Sequence, residues 1–378
     1  MSSTPSVPAS APLRVIMVCT VPTDRSGIPM VMYNLLRNMD LNGMDVTYVA
    51  INEPPAEMQA MLAGLGVRLA VIPRKLSNPG AYLHALSQMA KGADVVHVHG
   101  NSATMALDLS AAALAGVRVR LPHSHTTSCR MKLIHAFFKP LFHRLSTGRL
   151  ACSRPAGEWL YGDRPFIVVR NAVETSRFRF SPDARKEVRR RLGIGEQCVI
   201  GHVGSLIPVK NHDFLLDVFE VFQKSNPDSR LLLVGDGELL PSLRRKAHDL
   251  NIADKVIFCG SVPDPQDYLS AMDLVIMPSL YEGLPLALVE QQANALPILA
   301  SDVITREADL TGSIRYLPLS LPPSGWAEAA AEALAASRHT PEGSERNIRA
   351  ITEAGFDIRR VAADLRDYYF SLAAAVRQ

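Results

Sequence analysis

Short apolar runs, rich in β-branched residues, alternate along this chain with longer segments whose apolar positions recur at helical spacing. In the first half the runs fall at 13–20, 45–51, 67–73, 94–100, 117–125, 148–153 and 166–171. In the second half they fall at 198–204, 230–237, 255–260, 274–279, 297–302 and 314–318. Runs that are apolar on both faces, with helices between them, predict parallel sheets covered by helices on both sides. Two such sets predict an α/β chain of two doubly wound domains, and 378 residues exceed one ordinary core. The arginine-rich stretch near 176–197 reads as a charged joint between them. The expected division is a disordered leader at 1–12, a first domain at 13–175, a second at 176–355 and a closing helix at 356–378.

Composition narrows the class. With 47% hydrophobic and 20% charged residues the chain is globular, and a net charge of +3 is too small to point to nucleic acid. The leader is rich in Ser and Pro and lacks a basic start before an apolar core, so it does not read as a signal peptide. No apolar run is long enough for a membrane span. The 5 cysteines are scattered, which gives neither a disulfide framework nor a zinc pattern and predicts a reducing compartment.

In doubly wound sheets ligands bind beyond the carboxyl ends of the strands. That rule selects Gly27, His97, His99, His123, His125 and Ser153 in the first half. In the second half it selects Gly204 to Lys210, Gly235 to Glu238, Gly260 to Pro263, and Ser279 to Glu290. The stretch 279–302 is the most specific. Glu282 precedes a Gly-Leu-Pro turn, and Glu290 lies on the helix that follows. Pro285 suits the first turn of that helix, whose free N–H groups form a seat for phosphate. Two carboxylates that accept hydroxyl hydrogen bonds beside an anion seat suit a ligand that is both sugar and phosphate.

Lys210 follows the glycine-ended strand at 198–204. It reads either as a solvated loop charge or as the counter-ion of a departing diphosphate. Gly27 opens a helix and admits backbone N–H groups to an anion, but the stretch is not a GxGxxG fingerprint, so a nicotinamide cofactor is disfavoured. His123 and His125 are expected to point to opposite faces, one toward a ligand and one toward the body. A zinc site on the histidines is disfavoured, because no carboxylate or cysteine completes a set. No Asp-x-Asp pair occurs, so no metal is expected to hold a diphosphate. The segment 129–149 carries Leu133, Ile134, Phe137, Phe138, Leu141, Phe142 and Leu145 at helical spacing, with Lys132, Lys139, Arg144 and Arg149 and no acid. It reads either as a helix packed on its own domain or as one that lies on an anionic membrane surface.

Taken with SGIPMVMYNLLRNMD, DVVHVHG, HSHTTS, IGHVGSLIPVKNH, LLLVGDGEL and PSLYEGLPLALVEQQANALP, the chain resembles the retaining glycosyltransferases of family 4. The nearest branch is the one acting in capsular and exopolysaccharide assembly. The resemblance covers nearly everything after the leader. It implies the GT-B fold, two Rossmann-like domains facing a cleft, with an acceptor-binding first domain, a nucleotide-sugar-binding second domain and a C-terminal helix crossing back to the first. Glu282 would contact the donor sugar or its phosphates and Glu290 the ribose. The backbone of Gly283 and Leu284 would meet the sugar or diphosphate, Lys210 would clamp the diphosphate, and Gly27 would admit it from the opposite domain. Gly204 and Ser205 belong to the same donor loop, and backbone near Val262 would meet the base. His125 best matches the family's histidine beside the reacting sugar, with His123 its rival.

Two positions depart from the family pattern. Ser205 stands where an arginine is usual, and Ser26 stands beside Gly27 where a second glycine is usual. The expected activity is a metal-independent retaining transfer from a nucleotide sugar, UDP-linked, to a saccharide or lipid-linked saccharide. No cofactor is expected. Its expected location is cytoplasmic, with peripheral contact at the inner face of the cytoplasmic membrane through 129–149. The alternatives are a degenerate nucleotide-sugar-binding subunit, suggested by Ser205, and a GT-B sugar-nucleotide epimerase.

Overall fold

The computed structural model describes residues 11–24, 27–75, 77–129, 131–262, 264–336 and 339–377. The leader read at 1–12, apart from its last two positions, and Arg25, Ser26 and Pro263 lie outside the described residues. The chain divides into two compact units, one of 1–171 with 358–378 and one of 172–357.

The first unit holds a 7-stranded sheet of β1 (Leu13–Cys19), β2 (Met44–Ala50), β3 (Arg68–Val71), β4 (Val95–Gly100), β5 (Val119–Ser124), β6 (Leu150–Ala151) and β7 (Ile167–Val168). Its order is β3-β2-β1-β4-β5-β6-β7, with neighbouring strands parallel. The second unit holds a 6-stranded sheet of β8 (Val199–Val203), β9 (Arg230–Val234), β10 (Val256–Phe258), β11 (Leu274–Met277), β12 (Ile298–Ser301) and β13 (Ile314–Leu317). Its order, β10-β9-β8-β11-β12-β13, repeats the first six places of the other sheet, again in parallel. Every apolar run read from the sequence is a strand, and each sheet is Rossmann-like.

Burial on both faces is what those runs encode. In the second sheet Val199, Val275 and Met277 enter the core on one side, while Ile200, Leu274 and Ile276 enter the core on the other. Successive strand residues alternate faces, so a strand with helices on both sides is apolar at most of its positions.

The first unit's helices are α1 (Gly27–Asn38), α2 (Ala56–Gly64), α3 (Pro79–Ala90), α4 (Ala106–Leu114), α5 (Lys132–Leu145) and α6 (Arg154–Tyr161). The second unit adds α7 (Pro182–Leu192), α8 (His212–Ser225), α9 (Leu240–Asp249), α10 (Pro265–Ala271), α11 (Leu286–Ala293), α12 (Pro323–Ala335) and α13 (Pro341–Glu353). The last helix, α14 (Ile358–Arg377), belongs to the first unit, where it packs on α1. Several helices start the same way. Asn78, Ser153, Ser181 and Thr340 each accept a hydrogen bond from a first-turn N–H, with proline at one of the first two helical positions. The cap satisfies an orphan donor, and proline gives up an N–H that had no partner. Ser153, selected from sequence as a strand-end ligand candidate, is one of these caps.

The segment read as a charged joint folds into the second unit as α7. Arg185 and Arg189 both bond Asp273, at 2.6 Å and 2.7 Å. Arg189 also donates to the carbonyls of Ala271, Gly195 and Gln197. Charge that resembles a solvated linker is spent on ion pairs and backbone carbonyls.

Candidate functional site

In each sheet the strand order reverses between two adjacent parallel strands. Ligands of open α/β sheets bind there, beyond the carboxyl ends. In the second unit the reversal lies between β8 and β11. The loops leaving those two strands carry Gly204 to Lys210 and Pro278 to Glu282.

The loops are tied together. Leu280 N donates to the Val209 carbonyl at 2.8 Å, and Asn211 Nδ2 donates to the Pro278 carbonyl at 3.1 Å. Asn211 takes a left-handed conformation (φ 57°), which turns the chain from the Pro208–Lys210 helical turn into α8. Lys210 Nζ then meets Glu282 Oε1 at 2.5 Å, with both side chains mostly buried. A lysine and a carboxylate 72 positions apart are thus brought into one charge-assisted bond by the switch in strand order.

Neighbouring glycines allow this loop to sit low. A Cβ on Gly235 would stand 2.0 Å from the Gly204 carbonyl oxygen, and one on Gly237 would stand 2.4 Å from that of Leu206. The loops after β8 and β9 pack backbone on backbone, so glycine is required at both places. Ser205 is exposed beside them, at the position where arginine was expected.

Glu290 lies on α11, whose start is uncapped by any side chain and whose preceding residue is Pro285. Pro285 therefore stands just before the helix rather than inside its first turn. Enclosure of the Glu290 carboxyl pushes its pKa up to about 7, with the Arg177 charge opposing the rise. Gly283 is exposed and Leu284 half-buried against the core. Val262 is half-buried at the end of the β10 loop, next to residue 263, which is outside the described set.

In the first unit, Gly27 is the first residue of α1, with φ +51° and open space around a would-be Cβ. Its glycine serves the backbone angle rather than a close approach within the unit. The histidines correct the sequence reading. His123 and His125 stand on the same face, their ring centroids 4.2 Å apart. Positions i and i+2 on a strand share a face, so the expected split was a misapplied period. His99 pairs in register with His123, and its ring lies 4.0 Å from that of His97, so four imidazoles gather on one face of β4 and β5. Of the two rivals, His123 is fully buried and His125 keeps partial exposure. Tyr369 of α14, which the sequence reading passed over, reaches His97 Nδ1 at 2.5 Å. His202 and His212, also passed over, lie buried with ring centroids 4.5 Å apart behind Gly204 and Lys210.

Comparison with known proteins settles the family. Residues 197–336 match the model of glycosyl transferases group 1, and residues 26–193 match that of the glycosyl transferase 4-like domain. EpsF of Bacillus subtilis (strain 168), a protein carrying the name of a glycosyltransferase, is 32% identical over 363 residues, 92% of this chain and 94% of that one. The chain belongs to glycosyltransferase family 4. An Escherichia coli relative, the UDP-Gal:alpha-D-GlcNAc-diphosphoundecaprenol alpha-1,3-galactosyltransferase, is 31% identical over 226 residues, 56% of this chain and 58% of that protein. Among solved structures, Anabaena HepE in complex with UDP superimposes with a TM-score of 0.77 at 16% identity, covering 95% of this glycosyltransferase and 100% of HepE. The fold is GT-B.

Proposed function

We propose that this glycosyltransferase moves a sugar from a UDP-linked donor to a saccharide or lipid-linked saccharide in the assembly of a cell-surface polysaccharide. It retains the anomeric configuration and needs no divalent cation at the diphosphate. The observation that carries this reading is the Lys210–Glu282 pair at the reversal point of the second sheet, with Glu290 on the adjoining helix. The name of the E. coli relative supports it by giving a UDP-sugar donor, a diphosphoundecaprenol-linked acceptor and an alpha linkage.

In this mechanism the acceptor hydroxyl attacks the anomeric carbon on the face from which the diphosphate leaves. The bond from that carbon to the phosphate oxygen breaks, the bond to the acceptor oxygen forms, and the departing oxygen takes the acceptor proton. Lys210 stabilises the charge gathering on the diphosphate. Glu282 orients the lysine and accepts from the sugar. Glu290 holds the ribose hydroxyls, the backbone at Gly204, Ser205, Gly283 and Leu284 lies along the phosphates and sugar, and Val262 meets the base.

Incubation with UDP-, GDP- and ADP-sugars, without added Mg²⁺ or Mn²⁺, tests the reading. UDP release that depends on a lipid-linked acceptor, with an alpha-linked product by NMR, is expected. Tight nucleotide-sugar binding without turnover would instead favour a non-catalytic subunit, the reading that exposed Ser205 suggests.

The same reading places the enzyme at the cytoplasmic face of a membrane, held there by α5. Among the described residues no helix is long and apolar enough to cross a membrane. On α5, His135 and Phe142 turn inward, while Leu133 is 87% and Phe137 78% exposed. Lys132 and Arg144 are exposed on the same helix. An apolar face that stays in water and is flanked by bases suits an anionic bilayer surface. In flotation with vesicles containing phosphatidylglycerol, the protein is expected to rise with the lipid at low salt. Leu133→Ser/Phe137→Ser should abolish this, and high salt should weaken it. Equal flotation of the double variant would remove the membrane from the account.

A further inference from the structure

The four imidazoles of the first unit are packed without the partners that buried polar groups need. His97 Nδ1 meets the Tyr369 hydroxyl at 2.5 Å. His97 Nε2 meets His123 Nδ1 at 3.2 Å, and His99 Nδ1 meets His125 Nε2 at 2.9 Å. His99 Nε2, His123 Nε2 and His125 Nδ1 are buried with no hydrogen-bond partner.

No choice of tautomers mends this. A neutral imidazole has one N–H and one lone pair. In the His99–His125 pair one ring donates and the other accepts. The accepting ring then carries its own proton on its far nitrogen, where nothing receives it. One such buried donor costs about 1–3 kcal/mol.

A cation that takes lone pairs resolves the conflict. One ring nitrogen from each of His97, His99 and His123 lies within 4.8 Å of one from each of the others. A tetrahedral ion with bonds of about 2.0–2.1 Å sets its ligand nitrogens roughly 3.3–3.4 Å apart. The His97 and His123 nitrogens, at 3.2 Å, already stand at that spacing. Ligand histidines usually give their second N–H to an oxygen behind them. Behind His97 stands the Tyr369 hydroxyl. The other buried pair, His202 and His212, has two rings only and lies close to the Lys210 ammonium, which repels a cation.

We propose that His97, His99 and His123 bind a divalent transition ion of the zinc type, with water or His125 as the fourth ligand. An all-imidazole set suits zinc, copper, nickel or cobalt and disfavours magnesium, calcium and manganese, which want oxygen. The ion joins the carboxyl ends of β4 and β5 and, through Tyr369, restrains α14. The site lies in the first unit, whereas Lys210 and Glu282 belong to the second, and the inference departs from the expectation from sequence that these histidines form no metal site.

The full-length protein, stripped with a chelator and desalted, is titrated with ZnCl₂ by calorimetry. Uptake of one ion per chain is expected. Co²⁺ in its place should give the intense visible absorption of a four-coordinate ion. His99→Gln and His97→Gln should each weaken zinc binding by at least about tenfold. Imidazole ¹⁵N spectra of the unmutated chain serve if a variant fails to fold. The signals of His97, His99 and His123 should move on zinc addition, while those of exposed His84 and His248 stay. Absence of stoichiometric uptake, or variants that bind zinc as well as the parent, or ¹⁵N shifts confined to other histidines, would overturn the site.

Discussion

Lys210→Ala is expected to lower kcat/KM for the nucleotide sugar by about 10²–10³-fold, mostly in kcat. Removing one preorganised group that faces developing negative charge typically costs about 3–4 kcal/mol. Lys210 fits that description, since its ammonium is fixed at 2.5 Å from Glu282 and mostly out of water. It does not need to be recruited during the reaction. An exposed ion pair of the same length would be worth about 0–1 kcal/mol and could be deleted quietly. Lys210→Arg should recover only part of the activity, because a planar guanidinium does not replace a compact point charge in a preformed pocket. Glu282→Ala should act differently. It removes the proposed sugar contact and frees the lysine, so KM should rise together with a fall in kcat. The assay is steady-state release of UDP in the presence of acceptor, with melting temperature as a control. If Lys210→Ala turns over within about threefold of the parent, the diphosphate is neutralised by another group and the proposed role is wrong.

The order of the chain carries most of the fold. The thirteen strands of the described residues were legible as apolar runs, because a sheet covered on both faces leaves few places for a polar residue. What the pattern does not carry is which strands become neighbours. Lys210 and Glu282 meet because β8 lies against β11 rather than in sequence order, and only the Rossmann-like expectation put them together beforehand. The arginines of α7 were misread for a related reason. Their acceptors, Asp273 and a set of carbonyls, are distant in sequence, and arginine with distant partners looks like arginine in a linker. Ser153 shows the reverse error, where a local hydrogen bond to Ala156 N already explains a residue selected for chemistry. The histidine cluster was half legible. His-x-His at 97 and 99 and again at 123 and 125 repeats on strands that register puts side by side, and correct use of the two-residue period would have gathered all four rings. The want of hydrogen-bond partners was not legible, since it depends on what surrounds the rings.

Glu290 gives the second large effect, and its sign follows from burial. Affinity for a UDP-sugar should rise about tenfold from pH 6 to pH 8, and Glu290→Gln should remove this dependence. The carboxyl titrates near 7 in the folded protein because enclosure disfavours its charged form, against the pull of Arg177. Ribose hydroxyls donate to a carboxylate, so the nucleotide sugar selects the ionised form. With that pKa about one molecule in ten is ionised at pH 6 and about nine in ten at pH 8. The diphosphate of a nucleotide sugar is a diester and does not titrate in this range, which leaves the protein as the source of the effect. At pH 8 the amide should bind about 10–100-fold more weakly, the loss expected for hydrogen bonds to a charged group. Stability runs the other way. Between the unfolded value of 4.5 and about 7 the native chain holds a proton that the unfolded chain has released, so stability falls as pH rises through that window and stays lower above it. Glu290→Gln should therefore be more stable than the parent at pH 8, by about 1–2 kcal/mol once the residue's partial exposure is allowed for, and equal to it at pH 4. Calorimetry with UDP-glucose at pH 6, 7 and 8, paired with urea unfolding of both proteins, reads the two effects together. A flat binding profile in the parent, or an equally steep one in the amide, would take the ribose away from Glu290. A stability gain without a binding loss would leave Glu290 as a buried carboxyl with no hold on the donor.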